Sequence, residues 1–234
     1  MKSIRDIITL YKHHKFINGT KRVLNELYEN LFFDLKYKTS TSNLRFSKDY
    51  NIQNFDHNKH KWYQPTFYTP LKKVSIYISS LLQNHKDFSE CKDVIIFDLG
   101  AGYGKPLIIL NKYIKKNNFL YGVELDKFYE KGFYNNCSKY SKNFHFLNIS
   151  VENVSFEKII EDYSKNCILI VHNKNSFSKE ITRNNLDSLR RISKKIPTFY
   201  IYSNPEFSDL FDKEEILYKT RGWHLNYNIN LYKI

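Results

Sequence analysis

Apolar residues in this chain follow two different spacings, and the change from one to the other divides it. Over residues 2–36 they recur at three- and four-residue intervals, the period of helices with one apolar face. Val23, Leu24, Leu27 and Leu31 align in this way. Asn18-Gly19-Thr20 separates their helix from the one before it, Gly closing the first and Thr capping the second. From Tyr37 to Lys61 aliphatic residues nearly vanish and Ser, Thr, Asn, Lys and His replace them, which predicts a loop or a mobile lid. Pro65 and Pro70 punctuate the next stretch, and a helix is expected over Leu71–Gln83 with Val74, Ile78 and Leu81 on one side.

After Asp93 short apolar runs alternate with amphipathic segments, the pattern of βαβ units in a parallel sheet. Strands are predicted at Val94–Phe97, Phe119–Val123, Phe144–Leu147, Ile168–Val171 and Thr198–Tyr202. The helices between them are expected at Lys105–Lys116, Asp126–Tyr140, Glu152–Tyr163 and Ser178–Ser193. Two last strand-like runs, Glu215–Thr220 and Leu225–Tyr232, are joined through Arg221-Gly222-Trp223-His224. That connection is too short for a crossover helix, so an antiparallel hairpin follows. The fold class is thus α/β, a Rossmann-like seven-stranded sheet, mostly parallel, with a C-terminal antiparallel hairpin and a helical N-terminal extension. The expected division is 1–62 for the extension and lid, and 63–234 for the domain.

Composition narrows the classes. With 41% hydrophobic and 26% charged residues, 7 Gly and 5 Pro, the chain is globular, neither disordered nor fibrous. Its longest apolar runs fall far short of the roughly 20 residues of a membrane helix. Charge at Lys2, Arg5 and Asp6 interrupts the place where a secretory signal carries its apolar stretch, so a cytoplasmic protein is expected. The three cysteines, Cys91, Cys137 and Cys167, and the eight histidines show no metal-ligand spacing. The net charge of +13 attracts phosphate over a Debye length and beyond. Only 7 of the 37 basic residues are Arg, however, and the accompanying wealth of Asn, Tyr, Ile and Phe is equally the mark of A/T-rich codons.

The chemistry-bearing segment is Val94-Ile-Ile-Phe-Asp98-Leu-Gly100-Ala-Gly102-Tyr-Gly104-Lys-Pro106: a buried strand, a glycine-rich turn and a helix start. Gly100 and Gly102 let backbone approach a ligand, and Pro106 suits a first helical turn. About 20 residues on, the second strand ends in Glu124, placed to accept both hydroxyls of a ribose. The spacing is GxGxG; Lys105 stands where a dinucleotide-binding GxGxxG has its third glycine, which disfavours NAD.

These pieces resemble the first two motifs of the class I S-adenosylmethionine-dependent methyltransferases: Phe97-Asp98-Leu99-Gly100-Ala101-Gly102-Tyr103-Gly104 and Gly122-Val123-Glu124-Leu125-Asp126. The resemblance covers about Tyr63 to the C-terminus and implies S-adenosylmethionine as cofactor. It implies Asp98, Gly100, Ala101, Gly102, Gly104, Glu124, Leu125, Asn148 and Ile149 as the cofactor-binding set, Asn148 falling where many members carry an adenine-contacting Asp. Tyr63-Gln64-Pro65-Thr66 is similar to the Tyr-x-Pro-Thr element before the core of Dot1-like enzymes, which implies Tyr63 and Thr66 as further contacts; an ordinary Pro-rich turn explains it equally. Val171-His172-Asn173-Lys174-Asn175-Ser176-Phe177 occupies the fourth-motif position, without the prolines of exocyclic-amine methyltransferases. His172, Asn175 and Phe177 are the candidate catalytic residues, with His172 the nearby base for a hydroxyl acceptor. The expected activity is methyl transfer to a small-molecule or glycan acceptor at oxygen or nitrogen. Alternatives are a protein lysine, RNA or DNA, and, outside catalysis, a cofactor-binding partner subunit.

Overall fold

The computed structural model describes residues 20, 24, 27–41, 66–163, 166–174, 177–212, 214–222 and 227–234. A π-helical turn, Leu27–Phe32, runs into α1 (Phe33–Tyr37). Next come α2 (Tyr68–Asn84) and the short α3 (Lys86–Ser89), and then the alternation begins. Its elements are β1 (Asp93–Leu99), α4 (Lys105–Tyr113), β2 (Asn117–Val123), α5 (Tyr129–Cys137), β3 (Phe144–Leu147), α6 (Phe156–Ile160), β4 (Cys167–Asn173), α7 (Lys179–Ser193) and β5 (Thr198–Ser203). The chain closes with β6 (Glu215–Arg221) and β7 (Asn228–Lys233).

One seven-stranded sheet results, in the order β3-β2-β1-β4-β5-β7-β6. The first five strands are parallel; β7 lies antiparallel to both β5 and β6, so the hairpin enters the sheet with its second strand innermost. Alternation sorts the side chains into two cores. Val94, Ile96, Ile168, Ile170, Phe199 and Ile201 pack under α2, α4 and α5, while Ile95, Phe97, Leu169, Val171, Tyr200 and Tyr202 pack under α6 and α7. Both faces of β1 and β4 are covered, which is why those strands read as unbroken apolar runs.

Several helices are shorter than their sequence pattern suggests, each for a local reason. The helix expected over 105–116 stops at Tyr113 because the Asn118 side-chain amide donates to the Ile114 carbonyl at 3.0 Å and takes up a terminal acceptor. The helix expected over 126–140 begins at Tyr129, since Asp126 accepts the Phe128 N–H (2.9 Å) in a capping turn. The stretch expected as one helix over 152–163 splits into a 3₁₀ turn, Val151–Asn153, and α6, capped by Ser155.

The N-terminal extension departs further from its pattern. Leu24 and Leu31, expected on a buried face, are 60% and 50% exposed, whereas Phe33 and Tyr37 are buried. The π-helical turn carries one residue more than an α-turn, and this rotates the buried stripe onto Glu29, Asn30, Phe33 and Tyr37. The start of the expected lid is packed rather than loose. Tyr37, Tyr68 and Tyr113 join their hydroxyls at 2.7–3.2 Å, and Thr41 is buried with its N–H and hydroxyl both donating to Asp34 Oδ1 at 2.8 Å. Ser40 N–H donates to Asn136 Oδ1 (2.9 Å) and Lys139 Nζ to the Lys38 carbonyl (2.7 Å). The rest of that stretch, 42–61, lies outside the described residues.

Candidate active site

Strand order reverses at β1: β2 and β3 run out to one side of it, β4 and β5 to the other. Open α/β sheets bind ligands outside the carboxyl ends of their strands at such a reversal. The turn that leaves β1 there is built on left-handed backbone, with φ of +76° at Gly100, +49° at Gly102 and +82° at Gly104. The N–H groups of Gly100 and Ala101 both donate to the Val123 carbonyl, at 2.9 and 3.0 Å, which fastens the turn to the end of β2. Gly104 is fixed from below: a Cβ on it would meet the Cys137 sulfur and come within 3.1 Å of the Phe133 ring.

Glu124 follows β2 and closes the turn from the other side. Its Oε2 accepts the Gly102 N–H (3.0 Å) and its Oε1 the Asp126 N–H (3.2 Å). Burial pushes its pKa up to about 7, outweighing the backbone N–H bonds that stabilise the anion. Asn148 donates its side-chain amide to the carbonyls of Glu124 (3.1 Å) and Leu125 (2.9 Å), and the Ile149 N–H bonds the Leu147 carbonyl. Asn148, Leu125 and Ile149 thus form the outer wall beside Glu124. On the opposite side Phe177, nearly buried, places its ring edge 3.4 Å from where a Gly100 Cβ would stand. Of the residues expected around a cofactor, the glycine turn, Glu124, Leu125, Asn148 and Ile149 lie together at the carboxyl ends of β1, β2 and β3, whereas Asp98 is buried against His172 within the sheet. Thr66 is buried just ahead of α2, while Tyr63 and Asn175 lie outside the described residues.

His172 requires a correction. As a general base it would have to present a ring nitrogen to an acceptor, yet it is fully buried within β4. Its Nδ1 lies 2.6 Å from Asp98 Oδ1 and its Nε2 lies 2.8 Å from Ser203 Oγ. Both nitrogens are committed inside the sheet, so its role is to hold β1, β4 and β5 in mutual position. Burial raises the Asp98 pKa, with the facing His172 pulling it down, and Asp98 Oδ2 has no partner among the described residues. Further along the same side, burial holds the Tyr227 phenol above its ordinary range against the pull of Ser203 and the Phe67 backbone, with Thr66 contributing least.

Two neighbours of the turn and its strand escaped the sequence pattern. Ser203 ends β5 with nothing around it in the sequence to mark it. Lys105, set after Gly104, is fully buried and points away from the cleft; its Nζ donates to the Glu29 carbonyl (2.6 Å) and Asn30 Oδ1 (2.8 Å) and sits 4.8 Å from the Phe33 ring centre. The residue that ends the glycine turn therefore also pins the N-terminal extension. Among the described residues no group of His, Cys, Asp and Glu is arranged to hold a metal ion, and no helix is long and apolar enough to cross a membrane.

Comparison with known proteins bears on the fold. No family model matches the chain. It is 29% identical over 187 residues to the uncharacterised protein RP478 of Rickettsia prowazekii (strain Madrid E), covering 76% of this chain and 31% of the relative. The chain thus spans about a third of the length of the curated relative it matches. Among solved structures it resembles the human methyltransferase 10 domain containing protein, with a TM-score of 0.53 and 12% identity over 92% of this chain and 97% of that one. It also resembles the METTL16 methyltransferase domain, with a TM-score of 0.54 and 11% identity over 92% and 80% of the two chains.

Proposed function

We propose that this chain, which has the fold of the class I S-adenosylmethionine-dependent methyltransferases, binds S-adenosylmethionine along the Gly100–Gly104 turn and transfers its methyl group. The observation that carries the reading is Glu124. Its carboxylate is anchored by the glycine turn itself through the Gly102 N–H, at the end of the strand where a ribose is bound in this class of sheet. Each anchored oxygen keeps acceptor capacity for a ribose hydroxyl. The turn runs on left-handed backbone at Gly100 and Gly102, and its first helical residue, Lys105, is turned inward, so no cation waits there for a pyrophosphate. These features suit a nucleoside cofactor without phosphates.

In this reading Glu124 holds the ribose, Leu125, Asn148 and Ile149 border the adenine, and Asp98 with Ala101 and the glycines borders the methionine portion. When bound, the cofactor supplies a methyl group already activated on a sulfonium, so placement of the acceptor accounts for much of the rate. Tyr63 and Thr66 are further cofactor contacts at the methionine end, and Asn175 with Phe177 borders the acceptor. Residues 1–62 serve as the N-terminal extension and lid and 63–234 as the catalytic domain. The acceptor is a small molecule or glycan, and the engagement of His172 favours a nitrogen, which needs no strong base, over a hydroxyl. A second reading, an RNA or protein acceptor, draws on the net charge of +13.

Calorimetry with S-adenosylhomocysteine tests the cofactor assignment: wild type binds and Gly102→Val does not. Equal affinity of the two proteins would remove the assignment. Screening amines, glycans, peptides and RNA with labelled cofactor across a salt series tests the acceptor. Transfer to RNA that falls steeply with salt would replace the small-acceptor reading.

A further inference from the structure

Three lysines far apart in the sequence meet over one group of tyrosines. Lys36 of α1, Lys72 of α2 and Lys112 of α4 stand against the rings of Tyr37, Tyr68 and Tyr113, whose hydroxyls are joined to one another. The Lys36 ammonium lies 5.8 Å from the ring centres of both Tyr37 and Tyr68. Lys112 lies 4.8 Å from that of Tyr37, and Lys72 lies 5.9 and 5.5 Å from those of Tyr68 and Tyr113. Lys36 and Lys112 are exposed and Lys72 is half-buried, and none of the three has a carboxylate partner among the described residues. Ring faces attract an ammonium without neutralising it, so the gathered charges still repel one another. Tyr113 registers their field. Burial opposes its ionisation, yet its hydrogen bonds with Tyr37 and Tyr68 and the charges of Lys72 and Lys36 bring the phenol below its ordinary value. Three unneutralised cations brought to one surface by three separate elements point to an anionic partner.

The cluster continues into an aromatic surface. Lys36 also lies 5.9 Å from the ring centre of Phe32, which stacks on Tyr28 at 5.2 Å with the planes 8° apart. Tyr28 and Phe32 are 46% and 43% exposed, although the extension buries Phe33 and Tyr37 close by. Exposed rings contiguous with cations are the means by which proteins hold a single-stranded nucleic acid, its bases on the rings and its phosphates on the charges. Lysines act as point charges on phosphate and carry no base code. The rings add a preference for bases, which present flat π-faces, over a lipid headgroup or an acidic peptide, which presents charge alone. Unpaired bases open to stacking are found in the loops of RNA.

We propose that the surface formed by Tyr28, Phe32, Lys36, Lys72 and Lys112 docks single-stranded RNA. Contacts lead from it to the glycine turn. Beyond α1 the Ser40 N–H donates to Asn136 Oδ1 at 2.9 Å, and Asn136 Nδ2 donates to the Tyr103 carbonyl at 3.2 Å. A docked strand therefore lies on the element that borders the turn, which gives the RNA-acceptor reading a surface of its own. The docking itself does not rest on the cofactor assignment and is measured without cofactor.

Fluorescence anisotropy on the full chain tests the proposal, with a labelled single-stranded RNA dodecamer, its duplex, and oligoglutamate, alongside sedimentation with phosphatidylserine vesicles. The single strand is expected to bind more tightly than the duplex. The triple variant Lys36→Gln, Lys72→Gln, Lys112→Gln is expected to weaken it at least about ten-fold and to reduce the log–log salt slope by about 2, at ~0.7 per phosphate contact. Tyr28→Ala with Phe32→Ala is expected to weaken it about ten-fold with the salt slope unchanged. Removing the same charge from exposed positions on the α6–α7 side, by Lys158→Gln, Lys194→Gln and Lys195→Gln, is expected to leave binding nearly unchanged. Hydrogen exchange on the wild type needs no variant, and RNA is expected to slow it over residues 28–38. No binding of the single strand at low salt, equal weakening by the two triple variants, unchanged exchange over 28–38, or binding to vesicles or oligoglutamate alone would each overturn the proposal.

Discussion

Asp98 and His172 are register partners on the adjacent parallel strands β1 and β4, and their side chains meet at 2.6 Å in a fully buried position. Asp98 stands two residues before Gly100, so the pair links the glycine turn to the centre of the sheet. His172 passes the link on to Ser203 at the end of β5.

His172→Ala would strand the Asp98 carboxylate inside the core with neither oxygen paired. Breaking a buried pair in this way costs about 3–5 kcal/mol. Chemical unfolding of the variant is expected to show a loss of that order. The double variant Asp98→Asn, His172→Gln is expected to lose less than the sum of its single substitutions, because each single change leaves the other group unsatisfied. Additive losses would mean that the two side chains do not interact.

Glu124 sets a pH dependence. Its folded pKa of about 7 lies above the ordinary 4.5, so the folded chain retains a proton that the unfolded chain releases between those values. Stability of the free protein therefore falls as pH rises across that window, and Glu124→Gln flattens the slope. Cofactor binding through ribose hydroxyls calls for the anion. Affinity for S-adenosylhomocysteine is expected to rise about ten-fold per unit up to pH 7 and to level off above it. Calorimetry from pH 5.5 to 8.5 on wild type and Glu124→Gln separates this from a general pH effect.

Gly102 and Gly104 are two residues apart yet should fail differently. Gly104→Ala forces a methyl group against Cys137 and Phe133 at a φ of +82°, and overpacking with left-handed strain costs about 2–4 kcal/mol. Its principal effect is a lower melting temperature. Gly102→Val shares the left-handed strain, at a φ of +49°, and also sets a side chain on the proposed ligand side of the turn, so loss of cofactor affinity accompanies its loss of stability. A thermal-shift series with and without S-adenosylhomocysteine reads both.

Lys105→Met keeps the length of the buried stem and removes the ammonium that bonds Glu29 and Asn30. Two hydrogen bonds to a charged group, worth roughly 1.5–3 kcal/mol each, are lost with it. Hydrogen exchange over residues 29–37 is expected to accelerate at least ten-fold while β1 and β4 stay protected. Unchanged exchange there would show that the tyrosine cluster around Tyr37 holds the extension by itself.

The sequence by itself determined the element types and the parallel sheet, and it marked the glycine turn as the candidate site. Strands buried on both faces must read as apolar runs, and a GxGxG turn between such a run and a helix announces itself locally. Glu124 was legible because its distance from the turn is fixed by one helix and one strand. What lay beyond reach depended on which strands become neighbours and in what register. Alternation says that His172 shares a face with Ile168 and Ile170; only the pairing of β4 with β1 and β5 puts Asp98 on one side of its ring and Ser203 on the other. The inward turn of Lys105 required an acceptor some 75 residues earlier in the chain, brought there by the docking of the extension. The exposure of Leu31 followed from a single π-helical turn that shifts the buried stripe onto Glu29, Asn30, Phe33 and Tyr37. Local patterns fix what each segment can form; long-range packing decides which side chains meet, because a contact between distant residues carries no periodicity of its own.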